Sequence, residues 1–78
     1  MDWLKLNIPQ GSKLLRTQRF TFMHKGVNYL LDVDEYGNRS CMGHGEKAND
    51  KNFVIESVNG ASVEECLNAL MKKIADRN

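Results

Sequence analysis

Residues 62–76 have the periodicity of an amphipathic helix, and this stretch limits what the rest of the chain can form. Ser62 and Glu65 fit a capping box, in which the serine hydroxyl accepts from the Glu65 amide while the glutamate side chain reaches back. The apolar residues that follow at helical spacing are Val63, Cys66, Leu67, Leu70, Met71 and Ile74. We predict that this is the single helix of the chain and that its apolar stripe packs on a sheet.

Two segments before the helix alternate in the manner of paired strands. Residues 16–23 and 27–33 are rich in β-favouring residues, and Lys25-Gly26 between them is a turn dipeptide, so we predict a hairpin. Residues 34–38 supply the next turn. The side chains expected to face the helix are Phe20, Phe22, Tyr29 and Leu31.

Two further strands are predicted from shorter patterns. Residues 39–44 form a third strand, in which Gly43 and the following Gly45 indicate a bulge or a frayed end. Residues 45–52 are polar and predict a loop, and residues 53–58 are apolar and β-branched, as expected of a fourth strand.

Residues 1–12 form either an N-terminal arm or an edge strand. Leu4, Leu6 and Ile8 alternate with polar residues, and Pro9 ends the run because it removes a backbone donor. The predicted fold class is therefore α+β, with an antiparallel sheet of four or five strands packed on one face by a single C-terminal amphipathic helix.

The length of the chain, its cysteine content and its apolar segments indicate how many domains to expect and in which compartment the protein is found. A chain of 78 residues cannot build a second core, so we expect one domain over residues 1–78. Cys41 and Cys66 are too few for a disulfide framework and suit a reducing compartment, either as two buried thiols or as one bridge. The first residues do not match a signal peptide and no segment could span a bilayer, which favours a cytoplasmic protein.

Charge is distributed unevenly although the formal net charge is only +1. Residues 1–31 are mainly basic and residues 32–50 are mainly acidic, which is an asymmetry that can steer a charged partner. The candidate partner-binding residues are Lys13, Arg16, Arg19 and Lys25 on the basic side, Asp32, Asp34 and Glu35 on the acidic side, and Trp3 near the N-terminus.

Metal sites fit the sequence poorly. The segment from Asp32 begins like a calcium loop, but Tyr36 stands at the fifth ligand position and Gly43 at the twelfth, where a bidentate glutamate belongs. Zinc spacing is also lacking, since the two cysteines and two histidines form no paired motif. We therefore predict no metal and no cofactor.

Catalytic groups are equally hard to find. No serine or cysteine has a histidine and an acid at a family-specific spacing. We therefore predict that the chain is not an enzyme.

The predicted order is three antiparallel strands followed by a helix, and that helix opens with the run Gly-Ala-Ser-Val-Glu-Glu at residues 60–65. This order of elements resembles the core of HicB-type antitoxins. It also resembles the second half of double-stranded-RNA-binding domains, and each similarity spans residues 19–75. The resemblance implies a sheet covered by one helix. The RNA-binding family has a lysine cluster at the start of its last helix, where this chain has Glu64 and Glu65, so phosphate contact at that point is not implied.

These observations lead to two functional hypotheses. The first is a small non-catalytic protein-binding module, a regulator or inhibitor of bacterial, phage or mobile-element origin, which docks through an uncovered sheet face or edge strand. The alternative is a nucleic-acid-binding protein that uses the basic first hairpin. We also expect a homodimer, in which Trp3 and residues 1–9 contribute to the contact.

Overall fold

The computed structural model describes residues 5–37 and 40–77. It contains one antiparallel sheet in the order β1-β2-β3-β4, followed by one helix. The elements are β1 (Arg16–His24), β2 (Val27–Glu35), β3 (Cys41–Lys47), β4 (Asp50–Gly60) and α1 (Val63–Arg77). The predicted α+β class is confirmed, with a four-stranded sheet and a C-terminal helix.

The first hairpin forms as predicted and is regular along its whole length. Lys25 and Gly26 have positive φ angles of 50° and 78°, the backbone of a type I′ turn. His24 pairs with Val27 next to this turn, and the register continues without a shift through all nine residues of each strand. The turn therefore fixes which residues of β1 and β2 lie opposite each other.

The prediction of a polar loop over residues 45–52 is wrong. β3 continues to Lys47 and β4 already begins at Asp50, so only residues 48–49 separate the two strands, although the register shifts between Glu46, which pairs with Val54, and Lys47, which pairs with Asp50. Gly45 is buried, and a Cβ atom built on it would lie 2.9 Å from Cδ2 of Leu31. The glycine is thus an interior strand position that has no room for a side chain, rather than the frayed end of a strand.

A bulge is present at the predicted place, but its extra residue lies on β4. Gly43 pairs with Val58, whereas Gly45 pairs with Ile55, so three steps on β4 match two on β3. Ile55 is buried and Val58 is partly buried in the core, although their odd spacing would put them on opposite faces of a regular strand. The bulge therefore lets β4 turn both side chains towards the helix.

The described part of the N-terminal segment forms no strand. In residues 5–15, the Ser12 amide donates to the Pro9 carbonyl at 3.0 Å, and Gly11 has a φ of +83°. This turn ends the alternating run after a few residues, and the fifth strand is absent from the part of the chain that the structure describes. Leu4 lies outside the described residues.

The core lies between α1 and the sheet. Cys66, Leu70 and Ile74 are the buried residues of the helix, which lies over β2, β3 and β4. Two adjoining clusters result, one formed by Tyr29, Leu31, Ile55, Leu70 and Ile74 and the other by Val33, Cys41 and Cys66. β1 is a border strand of the sheet and contributes only partly buried side chains to this core.

Hydrogen bonds at the start of α1 match the predicted capping box with one difference. The Glu65 amide donates to Oγ of Ser62 at 3.1 Å, as expected. The Glu65 carboxylate, however, accepts from the amide of Ala61 at 2.7 Å rather than from the amide of Ser62. Both bonds satisfy amides at a helix end that has no intrahelical acceptors for them.

Replacing Ser62 with alanine is expected to lower the free energy of unfolding by about 1 kcal/mol, because the Glu65 amide loses its acceptor. Urea denaturation followed by circular dichroism measures the change. Ser57→Ala, on the exposed surface of β4, is the matched control. Equal denaturation midpoints for the two variants would show that the cap contributes nothing.

Candidate functional site

The predicted basic and acidic surfaces are not separate, because the first hairpin pairs them across its two strands. Arg16 lies opposite Glu35, and Arg19 lies opposite Asp32. Nη2 of Arg16 is 2.8 Å from Oε1 of Glu35, and Arg19 donates to both oxygens of Asp32 at 2.8 and 3.0 Å. The predicted turn over residues 34–38 begins too early, because Asp34 and Glu35 still lie within β2.

The ion pairs change the titration of both carboxylates. The hydrogen bond from Arg19 holds the pKa of Asp32 below its usual range, against the opposing effect of partial burial. In the same way, the hydrogen bond from Arg16 lowers the pKa of Glu35, assisted by Gln18, which donates to the same carboxylate at 2.6 Å. Since both arginines are largely exposed to solvent, these pairs organise the surface more than they stabilise the fold.

Arg19→Met should raise the pKa of Asp32 towards its ordinary value, because the hydrogen bond that favours the carboxylate is lost. The pKa of Asp32 is lower in the folded protein than in the unfolded chain. The contribution of its ion pair to folding stability is therefore complete above the unfolded pKa, and it is lost as the pH falls through the folded pKa. The wild type should therefore lose this stabilisation in acid, and Arg19→Met should show less of that loss.

NMR titration of the Asp32 carboxyl carbon measures the pKa, with Lys25→Met as control. An Asp32 pKa that is identical in both variants would contradict the pairing.

The remaining candidate residues are dispersed. Asp34 accepts from the Thr17 hydroxyl at 2.7 Å, so it too has a partner on the neighbouring strand of the first hairpin. Lys13 lines an open groove of about 500 Å³ between the N-terminal arm and the end of β2, and Lys25 occupies the hairpin turn. Neither lysine forms an ion pair with a described residue, and Trp3 lies outside the described residues.

Both thiols are free and buried, which decides between the two alternatives left open by the sequence. Burial raises the pKa of both thiols; nearby carboxylates add to the effect at Cys41, and Cys41 and then Glu65 add to it at Cys66. Thiols with a raised pKa are mostly protonated at neutral pH and are poor nucleophiles. Within residues 5–37 and 40–77, no group of three or more histidine, cysteine or acidic side chains is placed to hold a metal ion.

The outer edge of β1 was not predicted as a site from the sequence. His24 and Val27 flank the two-residue turn and exchange backbone hydrogen bonds, and the alternation of an antiparallel ladder then turns every second residue of β1 outward. The outward amides and carbonyls belong to Thr17, Arg19, Thr21 and Met23, and we call this row the docking edge. No described residue forms a backbone hydrogen bond with it.

The docking edge lacks the features that usually protect the border of a sheet. The segment from Thr17 to Met23 contains no proline, no lysine and no bulge. Its one charged side chain, Arg19, forms an ion pair with Asp32 on β2. β4, at the other border, has the bulge and charged residues, and Arg77 donates to the carbonyl of Val54 at 3.4 Å. Only one border of the sheet is therefore unprotected within the described chain.

Aromatic side chains lie beside the docking edge on the helix side of the sheet. Phe20 and Phe22 are partly buried against the core, and Phe22 stacks on His24 with ring centroids 5.5 Å apart. On the opposite, open face of the sheet, Met23 is 74% exposed. An added strand would therefore meet aromatic rings on one face and an exposed apolar side chain on the other.

Comparisons of the chain with protein-family models, curated proteins and solved structures found no significant match. Among the residues that the structure describes, no helix has the length and apolar character needed to cross a membrane.

Proposed function

We propose that this chain is a small non-catalytic protein-binding module that regulates or inhibits a partner by docking on it. The contact is made at the docking edge, where an extended segment of the partner continues the sheet beside β1. The observation that supports this function is the row of outward backbone groups from Thr17 to Met23, which has no partner in the described chain and no protective feature.

Strand addition predicts the kind of segment that binds. Backbone hydrogen bonds to the docking edge provide affinity, whereas alternate side chains provide specificity. On the helix side, the segment meets Phe20 and Phe22, so apolar residues are favoured at every second position. Because Asp32 already neutralises Arg19, the segment does not need to be acidic.

The nucleic-acid alternative has less support from the geometry. Arg16 and Arg19, two of its four basic residues, are held by carboxylates, and Lys13 lies on the arm rather than on the hairpin. Fluorescence anisotropy with duplex and single-stranded oligonucleotides at ~20 mM salt, where screening is weak, tests this function. Binding that weakens linearly in a plot of log affinity against log salt would favour it over protein docking.

Selection from a displayed library of random peptides tests the proposed function directly. The wild type should enrich peptides with alternating apolar residues, and Thr21→Pro should bind the enriched peptides at least about tenfold more weakly, since about 1.4 kcal/mol corresponds to that factor. Proline removes the outward Thr21 amide but no hydrogen bond to β2, and a sheet border tolerates it.

Thr21→Val is the matched control, because it keeps both the amide and the branched side chain. It should bind the enriched peptides as the wild type does. If Thr21→Pro remains folded by circular dichroism and binds the peptides with unchanged affinity, β1 is not where partners dock.

A further inference from the structure

We infer that the segment received by the docking edge is β1 of a second copy of this chain, so that two sheets join into one around a two-fold axis. The inference rests on the proposed function and concerns the same edge: the second copy occupies it when no partner is bound, and a partner's segment binds there by displacing that copy. A border strand with unpaired backbone amides and carbonyls along its length can pair with the same strand of another copy, because an antiparallel pair of identical strands has two-fold symmetry. The open edge on each copy is then removed by the other.

Hydrogen bonding limits the register of such a pair, and the side chains select one register. When the axis passes through Thr21, the Thr21 residues of the two copies exchange both backbone hydrogen bonds, because their amides and carbonyls point outward. Phe20 of each copy then lies opposite Phe22 of the other, on the helix side of the joined sheet. Aromatic pairs and threonine pairs are among the favourable cross-strand combinations.

The open face supports the same register. Arg19 of each copy lies opposite Met23 of the other, so a side chain that is 74% exposed in the single chain gains a cross-strand neighbour. The two Arg19 residues are four strand positions apart, roughly 13 Å along the sheet, which exceeds the screening length of about 8 Å at physiological salt. An axis through Phe20 would instead place them on a diagonal, about 7–8 Å apart.

Cysteine cross-linking tests the register. In Thr21→Cys the two Cα atoms across the axis should be about 5.5 Å apart, within the range that a disulfide spans. Oxidised glutathione serves as the oxidant: the two thiols form one disulfide, and glutathione disulfide takes up the two electrons and two protons to give two thiols. We expect a covalent dimer on non-reducing electrophoresis.

Met23→Cys is the matched control, because its cysteines are four strand positions apart in this register and should remain unlinked. The wild type reports any background from the buried Cys41 and Cys66. Equal cross-linking of Thr21→Cys and Met23→Cys would overturn the register and, with it, the inferred pairing.

Analytical ultracentrifugation tests the assembly itself. The wild type and Thr21→Val should be dimers at ~100 μM, a concentration at which micromolar association is evident. Thr21→Pro and Thr21→Lys should be monomers, because one loses the central hydrogen bonds and the other places two ammonium groups opposite each other. Thr21→Lys keeps the amide and so provides a second variant should the proline disturb folding.

The outcomes separate this inference from the proposed function. A monomeric wild type whose selected peptides are lost in Thr21→Pro overturns the second copy as occupant and leaves docking at β1 intact. A dimer that persists in both Thr21→Pro and Thr21→Lys overturns the inference, because its interface lies elsewhere. A wild type that neither dimerises nor selects peptides overturns both.

Discussion

Replacing Leu70 with alanine is expected to lower the free energy of unfolding by about 2–4 kcal/mol. Leu70 is fully buried at 0% exposure and belongs to the main core cluster beneath the helix. Its removal loses the transfer free energy of the side chain and leaves a cavity between α1 and β3, where Gly43 offers no side chain to fill it. A loss of this size is a large fraction of the 5–15 kcal/mol typical of whole proteins, about 0.1 kcal/mol for each residue.

Urea denaturation, followed at equal protein concentrations by circular dichroism, measures the loss as a shift of the midpoint at constant slope. Leu14→Ala is the matched control, since this leucine is 45% exposed on the N-terminal arm and should cost little. Equal midpoints for Leu70→Ala and Leu14→Ala would mean that α1 does not dock through Leu70.

Gly43→Ala should destabilise the fold by about 1–3 kcal/mol through overpacking. A Cβ atom at this position would lie 2.9 Å from Cδ1 of Leu70, 3.1 Å from Cγ2 of Val58 and 3.2 Å from Cβ of Cys66. Alanine also reduces the entropy of the unfolded chain, which offsets about 0.4–1 kcal/mol of the penalty. The net effect should still be destabilising, because neighbours on both α1 and β4 must move.

A double-mutant cycle isolates the contact between Gly43 and Leu70. In the Leu70→Ala background the nearest atom is gone, so Gly43→Ala should cost less, with a coupling energy of about 0.5–3 kcal/mol. The cycle of Gly43→Ala with Leu14→Ala should be additive. Additivity in both cycles would show that α1 and β3 do not approach each other at this point.

The elements that the sequence predicted best are those specified by neighbouring residues. The bond from the Glu65 amide to Ser62 and the apolar stripe around Leu70 depend on spacing within one helix, and both are present, although the Glu65 carboxylate bonds Ala61 instead of Ser62. The first hairpin depends on alternation and on Lys25-Gly26, whose φ angles match the expected turn. Local spacing was sufficient in each case.

The end of β3 was mispredicted because its determinants are distant in sequence. Gly43 and Gly45 weaken the β-propensity of the segment, and propensity alone favours a loop there. Their function is to admit Leu70 from the helix and Leu31 from β2, respectively. Only the packing of those elements shows that glycine is needed within a continuous strand.

The candidate site was partly readable from the sequence. Arg16 and Glu35, like Arg19 and Asp32, are equidistant from the turn, so counting outward from Lys25-Gly26 would have paired them. The docking edge could not be predicted in this way, because it exists only if β1 is at the border of the sheet, which depends on the order of the strands. The same residues would be an internal strand if another segment paired with β1.

Amide hydrogen exchange at Thr21, compared with that at Phe20, is the most direct measurement of whether the docking edge receives a strand. The Phe20 amide points towards β2 and should be protected at every protein concentration. The Thr21 amide points outward, so its exchange should slow as the chain is concentrated or as a selected peptide is added. A Thr21 amide that exchanges rapidly under all of these conditions, while Phe20 remains protected, would contradict strand addition at β1.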